Sequence, residues 1–141
     1  MIRFQLVSLG GLKFNEEVYE ITLPTMDGQI GVLDHHMPLV SVASRGLIAV
    51  RHKPTDPDDF RDYFAVSGGV IEVADNTLTV LVDEADHADE LDAADAQKAY
   101  DLAKRMVNEA KDQVSLERAQ SLVDRQEVRL QVAGLKRRRR G

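Results

Sequence analysis

The chain has 141 residues, of which 43% are hydrophobic and 30% charged, and its formal net charge is −6. It contains no cysteine, which excludes disulfides, thiolate metal sites and cysteine nucleophiles. No apolar stretch reaches the roughly 18 residues needed to span a bilayer, and the N-terminal residues lack the apolar segment of a signal peptide.

The charge is unevenly distributed along the chain. Five consecutive basic residues near the C-terminus carry +5: Lys136, Arg137, Arg138, Arg139 and Arg140. The remaining residues therefore carry −11, and such an acidic body disfavours broad nucleic-acid binding because it repels a polyanion. The tail by itself suits an acidic partner, although blocks of like charge are usually solvated ends.

Residues 1 to 86 have the pattern of short β-strands. Ile2, Phe4 and Leu6 alternate with polar residues, which is the period of a half-buried strand. Turn signals then separate further β-rich segments. Strands are predicted at residues 2–6, 18–23, 29–33, 39–43, 47–50, 60–67, 70–73 and 77–82. Since no helix intervenes, these 8–10 short strands predict an antiparallel β-sandwich.

Residues 87–141 have a helical period instead. Asp92 is the predicted N-cap of a first helix, and Ser115 that of a second. The first helix carries a stripe at alternating three- and four-residue steps: Ala93, Ala96, Tyr100, Ala103, Val107, Ala110 and Val114. The pattern predicts an antiparallel two-helix hairpin that ends in the basic tail. Because the stripe is mostly alanine, its burial is worth only a few kcal/mol in total, about 0.8 per methyl-sized group, and such a hairpin can exchange one surface for another.

Two segments resemble the signatures of a known family. Residues 28–40 read GQIGVLDHHMPLV, which is similar to a G-x-[IL]-G-[IV]-[LY]-x-x-H-x-P-[LI] pattern. Residues 64–73 read FAVSGGVIEV, which is similar to the family's strand, diglycine turn and strand. With an alanine-rich hairpin following in the expected place, nearly the whole chain resembles the ε subunits of bacterial and chloroplast F-type ATP synthases.

The resemblance implies a non-catalytic central-stalk subunit of a proton-translocating ATP synthase. In the family, the sandwich is seated against the γ subunit and the c-ring and couples rotation of the ring to the catalytic subunits. The resemblance also implies a peripheral location on the cytoplasmic face of a bacterial membrane, with no span, cofactor, metal or active site of its own. The residues it assigns to the rotor interface are Gly28, Gln29, Gly31, Val32, His35, His36, Met37, Pro38 and Leu39.

The family's hairpin has two states, one folded on the sandwich and one extended along γ. In the extended state it contacts the catalytic α and β subunits and inhibits ATP hydrolysis. The residues that this role would use here are Arg118, Arg125, Arg137, Arg138, Arg139 and Arg140. The alternating charges of the second helix equally suit a solvated face, so both interpretations stay open.

Residues 91–96 lie where many members bind regulatory ATP through an [IL]-D-x-x-R-A motif. Asp92 and Ala96 match this motif, but Asp95 replaces the arginine and reverses the charge offered to the phosphates. The segment is also well explained as a helix start. We therefore expect weak or absent ATP binding.

Two further motifs have ordinary explanations. The segment Asp83–Asp86 resembles the magnesium-binding motif of DEAD-box helicases, but no phosphate-binding loop accompanies it, so a strand end is favoured. Adjacent side chains on an extended segment point to opposite faces, so His35 and His36 are poorly placed to chelate one ion. The other histidines, His52 and His87, are isolated in the sequence, and no metal site is expected.

Two other classes of protein remain as alternatives. One is a free-standing β-sandwich binding module with a helical interaction tail. The other is a small hydrolase that uses Asp34 with His35 or His36, but the sequence offers no nucleophile, base and orienting group for it. Co-purification with γ and the catalytic ring separates the rotor subunit from both.

Overall fold

The computed structural model describes residues 1–58 and 60–140, with side chains described as far as residue 135. Within these residues, ten strands precede a short 3-10 helix, Ala88–Glu90, and two α-helices. The strands are β1 (Ile2–Ser8), β2 (Gly11–Val18), β3 (Glu20–Thr25), β4 (Gly28–Leu33), β5 (Leu39–Ala43), β6 (Gly46–Arg51), β7 (Asp62–Val66), β8 (Gly69–Ala74), β9 (Thr77–Val82) and β10 (Ala85–His87). The helices are α1 (Ala93–Glu109) and α2 (Gln113–Arg140).

The strands form one continuous hydrogen-bonded path that folds into the two layers of a sandwich. Its order is β10-β7-β6-β3-β5-β8-β9-β1-β2, with β4 paired to β3. A single residue pair, Thr25 with Ala43, joins β3 to β5, so the sheet can fold into two layers at this point. The alternation predicted for β1 is present, because Ile2, Phe4 and Leu6 are fully buried in the core. The predicted β-sandwich followed by two helices is confirmed.

The sandwich differs from the prediction in the direction of one strand pair. β1 pairs with β9 in parallel, with Phe4 opposite Leu78, whereas the other pairs are antiparallel. A hairpin dictates antiparallel pairing only for strands that are close in sequence, and about seventy residues separate these two.

The sequence patterns did not predict the strands β2 and β10 or the end of β3. β2 is mostly exposed and polar, and β10 has only three residues, so neither shows an apolar period. The strand that was expected to stop before Pro24 continues to Thr25. Proline is tolerated there because the β3–β6 ladder covers only Glu20 to Thr22 and no longer requires an N–H.

The hairpin forms where it was predicted. Asp92 caps α1, and its carboxylate accepts hydrogen bonds from the amides of Ala94 and Asp95 at 2.8 and 3.0 Å. At the start of α2, Asp112 rather than Ser115 is the cap, because the Asp112 carboxylate accepts a 2.7 Å hydrogen bond from the Ser115 amide. The hydrogen bonds from Ser115 lower the pKa of Asp112.

The hairpin packs on the strands β6 and β7 through the C-terminal part of α2. The buried contact consists of Ala65, Ala88, Leu91, Val132 and Ala133, flanked by Leu47, Tyr63, Ala93 and Val128. Most of these side chains are small, so the apolar contact between hairpin and sandwich is limited in area. No helix among the described residues is long and apolar enough to cross a membrane.

Candidate functional site

The predicted interface edge begins with β4, which pairs with β3 alone and therefore leaves one side of its backbone unpaired. Gly28 has a φ of 113°, a value that glycine adopts without steric cost, and it ends the tight turn into β4. The hydroxyl of Thr25 closes this turn, since it donates to the Gly28 carbonyl at 2.6 Å and accepts from the Asp27 amide at 3.2 Å. The turn thus holds the edge strand in one position.

The loop after β4 is fixed to two distant parts of the sandwich. The side-chain amide of Asn76 donates to the Asp34 carboxylate at 2.8 Å and to the Met1 carbonyl at 3.0 Å. Its carbonyl oxygen accepts from the His35 amide at 2.8 Å. The Asp34 carboxylate also lies 3.3 Å from the N-terminal amine. The hydrogen bond from Asn76 is the main cause that lowers the pKa of Asp34, and the N-terminal amine and His35 act in the same direction.

The side chains of the predicted edge differ in their accessibility. His35 is 84% exposed, and Met37 and Pro38 are also exposed. His36 is only half-buried rather than fully exposed, and its Nδ1 atom lies 2.7 Å from the Met37 carbonyl oxygen. Gln29 and the backbone of Gly28 and Gly31 face outward. Val32 belongs to the core and Leu39 packs partly against it, so the accessible surface comes from the others.

An exposed apolar row extends this edge across the sheet, and the sequence analysis did not identify it. Val42, Val70 and Leu81 lie in register on β5, β8 and β9, and all three are about half exposed. Val40 lies two residues before Val42, on the same face, and is also exposed. The sequence feature that could have revealed this row is the presence of valine and leucine at the outward-facing positions of these strands. The row lies on other strands than those beneath the hairpin.

The structure corrects the statement that His52 and His87 are isolated. Both imidazoles contact the buried carboxylate of Asp62: His52 through Nε2, and His87 through Nε2 at 2.9 Å. The rings of Phe14 and Phe64 pack beside them, with centroids 5.9 Å from His52 and 4.9 Å from His87. Among the described residues no group of three His, Asp or Glu side chains is placed to hold a metal ion.

The acidic segment that follows β9 and enters β10 contacts the second helix. Arg125 lies 3.6 Å from the Glu84 carboxylate, and Arg129 lies 3.5 Å from that of Asp86. Asp124 lies 3.1 Å from Arg45 on the sandwich. Arg118 is exposed and makes no ion pair within the part of the chain that the structure describes. The side chains of Arg137, Arg138, Arg139 and Arg140 lie outside the described residues.

Comparisons with known proteins decide the family. The family model described as "ATP synthase, Delta/Epsilon chain, beta-sandwich domain" matches residues 1–88. The ATP synthase epsilon chain of Herpetosiphon aurantiacus is 34% identical over 139 residues, covering 98% of each chain. The chain belongs to the ATP synthase delta/epsilon family. This membership agrees with the predicted rotor subunit of the central stalk.

Two solved ATP synthases contain chains of the same fold as this family member. One is a chain of the Euglena gracilis mitochondrial ATP synthase, with a TM-score of 0.77 and 24% identity over 95% of this chain and 81% of that one. The other comes from the central stalk and c-ring of the Tetrahymena thermophila mitochondrial enzyme, with a TM-score of 0.60 and 16% identity over 92% and 93%.

The position of the family's nucleotide motif is an acidic depression in this ATP synthase subunit. It has a volume of about 300 Å³, and its charged lining consists of Glu90, Asp92, Asp95 and Arg129. The Asp92 carboxylate accepts the capping hydrogen bonds of α1, Ala96 is buried, and Arg129 is paired with Asp86. The arrangement therefore presents more negative than positive charge to a triphosphate.

Proposed function

We propose that this chain couples rotation of the c-ring to the catalytic subunits through γ, and that its hairpin restrains ATP hydrolysis. The proposal rests on the match of residues 1–88 to the ATP synthase delta/epsilon family. It is supported by the way the hairpin is docked on the sandwich, through a small apolar patch and ion pairs. A hairpin held in this way can leave its docked position at modest cost. The chain has no catalytic role of its own and requires no cofactor or metal.

The rotor interface comprises the exposed part of the β4 edge and its loop. Gly28, Gln29, Gly31, His35 and Met37 supply exposed surface there, and the bonds of Asn76 keep the loop in place. His36, Pro38 and Leu39 shape the loop, while Val32 anchors the strand in the core. We assign this edge to γ and the c-ring.

The apolar row Val42–Val70–Leu81 continues the edge through Val40, and we assign it to γ. A rigid apolar row beside a polar loop has the character of the core and rim of a protein interface. Since the row and the hairpin occupy different strands, γ can remain bound while the hairpin moves.

In the extended state the hairpin meets the catalytic α and β subunits. Arg118 and Arg125 are already exposed, and Arg125 loses its carboxylate partner when α2 leaves Glu84. The tail residues Arg137 to Arg140 add positive charge. These cations suit an acidic surface of the catalytic ring. The chain is then peripheral on the cytoplasmic face of a bacterial membrane, held there by its partners.

The proposal is tested by ATP hydrolysis in the reconstituted enzyme, with the full-length chain and with a chain that ends at Glu90. We expect both chains to support coupling, because all ten strands are retained, and only the truncated chain to raise the hydrolysis rate. Equal rates would remove the inhibitory role. Loss of assembly with the full-length chain would overturn the rotor role itself.

The contribution of the tail is tested separately. Replacing Arg137 through Arg140 with alanine should release inhibition at low salt and change little at high salt. The reason is that the Debye length falls from roughly 10 Å at 0.1 M to 3 Å at 1 M. Unchanged hydrolysis at every salt concentration would leave the tail as a solvated end.

A further inference from the structure

We infer that α2 is locked onto the sandwich by a charge latch, defined here as the pairs Arg125–Glu84, Arg129–Asp86 and Asp124–Arg45. The latch sets the register of the docked hairpin and opposes its extension. The inference rests on the proposed movement of the hairpin and assigns the regulation of that movement to named side chains.

The sandwich holds the acidic half of the latch rigidly. The Glu84 backbone is bound to Ser67 in both directions: its carbonyl accepts from the Ser67 amide at 3.2 Å, and its amide donates to the Ser67 hydroxyl at 3.0 Å. Asp86 lies in β10, opposite Ala65 of β7. The backbone that carries both carboxylates is therefore already fixed when the helix arrives, which lowers the entropic cost of pairing.

The spacing of the two halves is complementary. Arg125 and Arg129 are four residues apart on one face of a helix, which corresponds to a rise of about 6 Å. Glu84 and Asp86 are two residues apart on one face of an extended segment, which corresponds to about 6.6 Å. Because the two spacings match, both pairs form at the same time: Arg125 lies 3.6 Å from Glu84, and Arg129 lies 3.5 Å from Asp86.

The third pair has the opposite polarity and makes the register specific. Asp124 on the helix meets Arg45 on the sandwich at 3.1 Å, immediately beside the Arg125–Glu84 pair. A shift of α2 by one residue in one direction would place Arg125 at Arg45, and a shift in the other direction would place Asp124 at Glu84. Each shift therefore loses both pairs and creates one contact between like charges. The small apolar residues beneath α2, by contrast, discriminate poorly between registers.

The latch also links the two states of the hairpin. Arg125 cannot contact Glu84 and an acidic surface of the catalytic ring at the same time. Within the described residues, the ion pairs between the α-helices and the sandwich all involve α2, so α1 is held through its packing against α2. Opening the latch should therefore release both helices together.

The first variant changes only the acidic residues of the sandwich and leaves the arginines of α2 intact. In the isolated full-length chain, Glu84→Lys with Asp86→Lys should raise the amide hydrogen-exchange rates of α1 and α2 about tenfold. Adding Arg125→Glu and Arg129→Glu exchanges the charges and should restore most of the protection. Protection of Val66 and Val80 reports whether the sandwich is folded, and Glu84→Gln with Asp86→Asn serves if the lysine variant does not fold.

The matched control is Asp83→Lys with Glu72→Lys. It makes the same change of net charge at exposed positions that have no ion pair in the described part of the chain. Faster exchange in the latch variant alone, reversed by the charge exchange, supports the latch. Unchanged exchange in the latch variant, or equal acceleration in the control, overturns it.

ATP hydrolysis by the assembled enzyme separates this inference from the proposed brake. If the hairpin restrains hydrolysis, the latch variant should hydrolyse ATP more slowly than wild type because its hairpin extends more readily. Faster exchange with unchanged hydrolysis would support the latch and count against the brake. Unchanged exchange with intact inhibition by the full-length chain would overturn the latch and leave the brake in place.

Discussion

The Nε2 atom of His87 lies 2.9 Å from the Oδ1 atom of Asp62, so the last residue of β10 is bound to the first residue of β7. The Nδ1 atom of the same imidazole accepts a hydrogen bond from the Asp89 amide at 3.0 Å. With Nδ1 as the acceptor, Nε2 carries the proton that His87 donates to Asp62. One imidazole ring therefore joins the sandwich to the 3-10 helix that precedes α1.

Asp62→Ala should destabilise this junction. The change leaves His52 and His87 without their buried acceptor, and we expect a loss of about 1–3 kcal/mol in the free energy of unfolding. Urea denaturation measures this loss, and hydrogen exchange at residues 88–91 should rise with it. Asp27→Ala, at an exposed turn, is the control. An unchanged unfolding midpoint would mean that Asp62 contributes no net stability.

Two glycines should respond to alanine in opposite directions. A Cβ at Gly69 would overlap the carbonyl oxygen of Leu81 on the neighbouring strand, so Gly69→Ala should cost about 2 kcal/mol or more. A Cβ at Gly134 meets no atom within 4 Å, and alanine there should stabilise α2 by about 0.5–1 kcal/mol. Thermal unfolding measures both, and a stable Gly69→Ala variant would contradict the close approach of β8 and β9.

The stability of the chain should contain an acid-sensitive contribution from Asp34. Its pKa is lowered in the folded state, mainly by the hydrogen bond from Asn76, relative to an ordinary value of 3.8. The contribution is therefore complete above that value and is lost as the pH falls through the lower, folded pKa. Wild type should exceed Asp34→Asn in urea midpoint at about pH 6, and the difference should vanish in acid.

Asp27→Asn is the control for this comparison, because the Asp27 side chain is exposed and makes no ion pair in the described part of the chain. If the difference in urea midpoint between wild type and Asp34→Asn did not depend on pH, the charge of the Asp34 carboxylate would not be what stabilises its hydrogen bond with Asn76.

The rotor interface can be tested by cross-linking, because the chain has no native cysteine. Met37→Cys places a single thiol on the exposed loop, and Glu109→Cys places one at the end of α1 as a control. In active enzyme, a bifunctional reagent at position 37 should capture γ or the c-ring. Capture of catalytic subunits alone from position 37 would show that the edge faces elsewhere.

The isolated chain should bind ATP weakly or not at all. Glu90, Asp92 and Asp95 make the depression acidic, and its arginine is engaged by Asp86. Asp95→Arg should raise the affinity, whereas Asp101→Arg on the same helix should not. Isothermal calorimetry measures both variants, and micromolar affinity in the wild type would contradict the electrostatic argument.

The sequence was most informative where the pattern was local. The alternation of β1 and the capping by Asp92 were predicted because each depends on neighbouring residues. β2 was missed because its exposed residues have no apolar period. The clustering of His52 and His87 on Asp62, and of Arg125 on Glu84, depends on how distant segments meet, which no local pattern specifies.

The parallel pairing of β1 with β9 has a consequence for the order in which a ribosome delivers this chain. β1 lies between β2 and β9, so one flank of the first strand to emerge stays unpaired until residue 82 has been made. The sandwich therefore cannot be completed until β9, its second-last strand, has been made. The pairing of β1 with β9 is a contact of high sequence separation. The hairpin follows only afterwards, so α2 first meets the carboxylates of Glu84 and Asp86 on a sandwich that can already be complete.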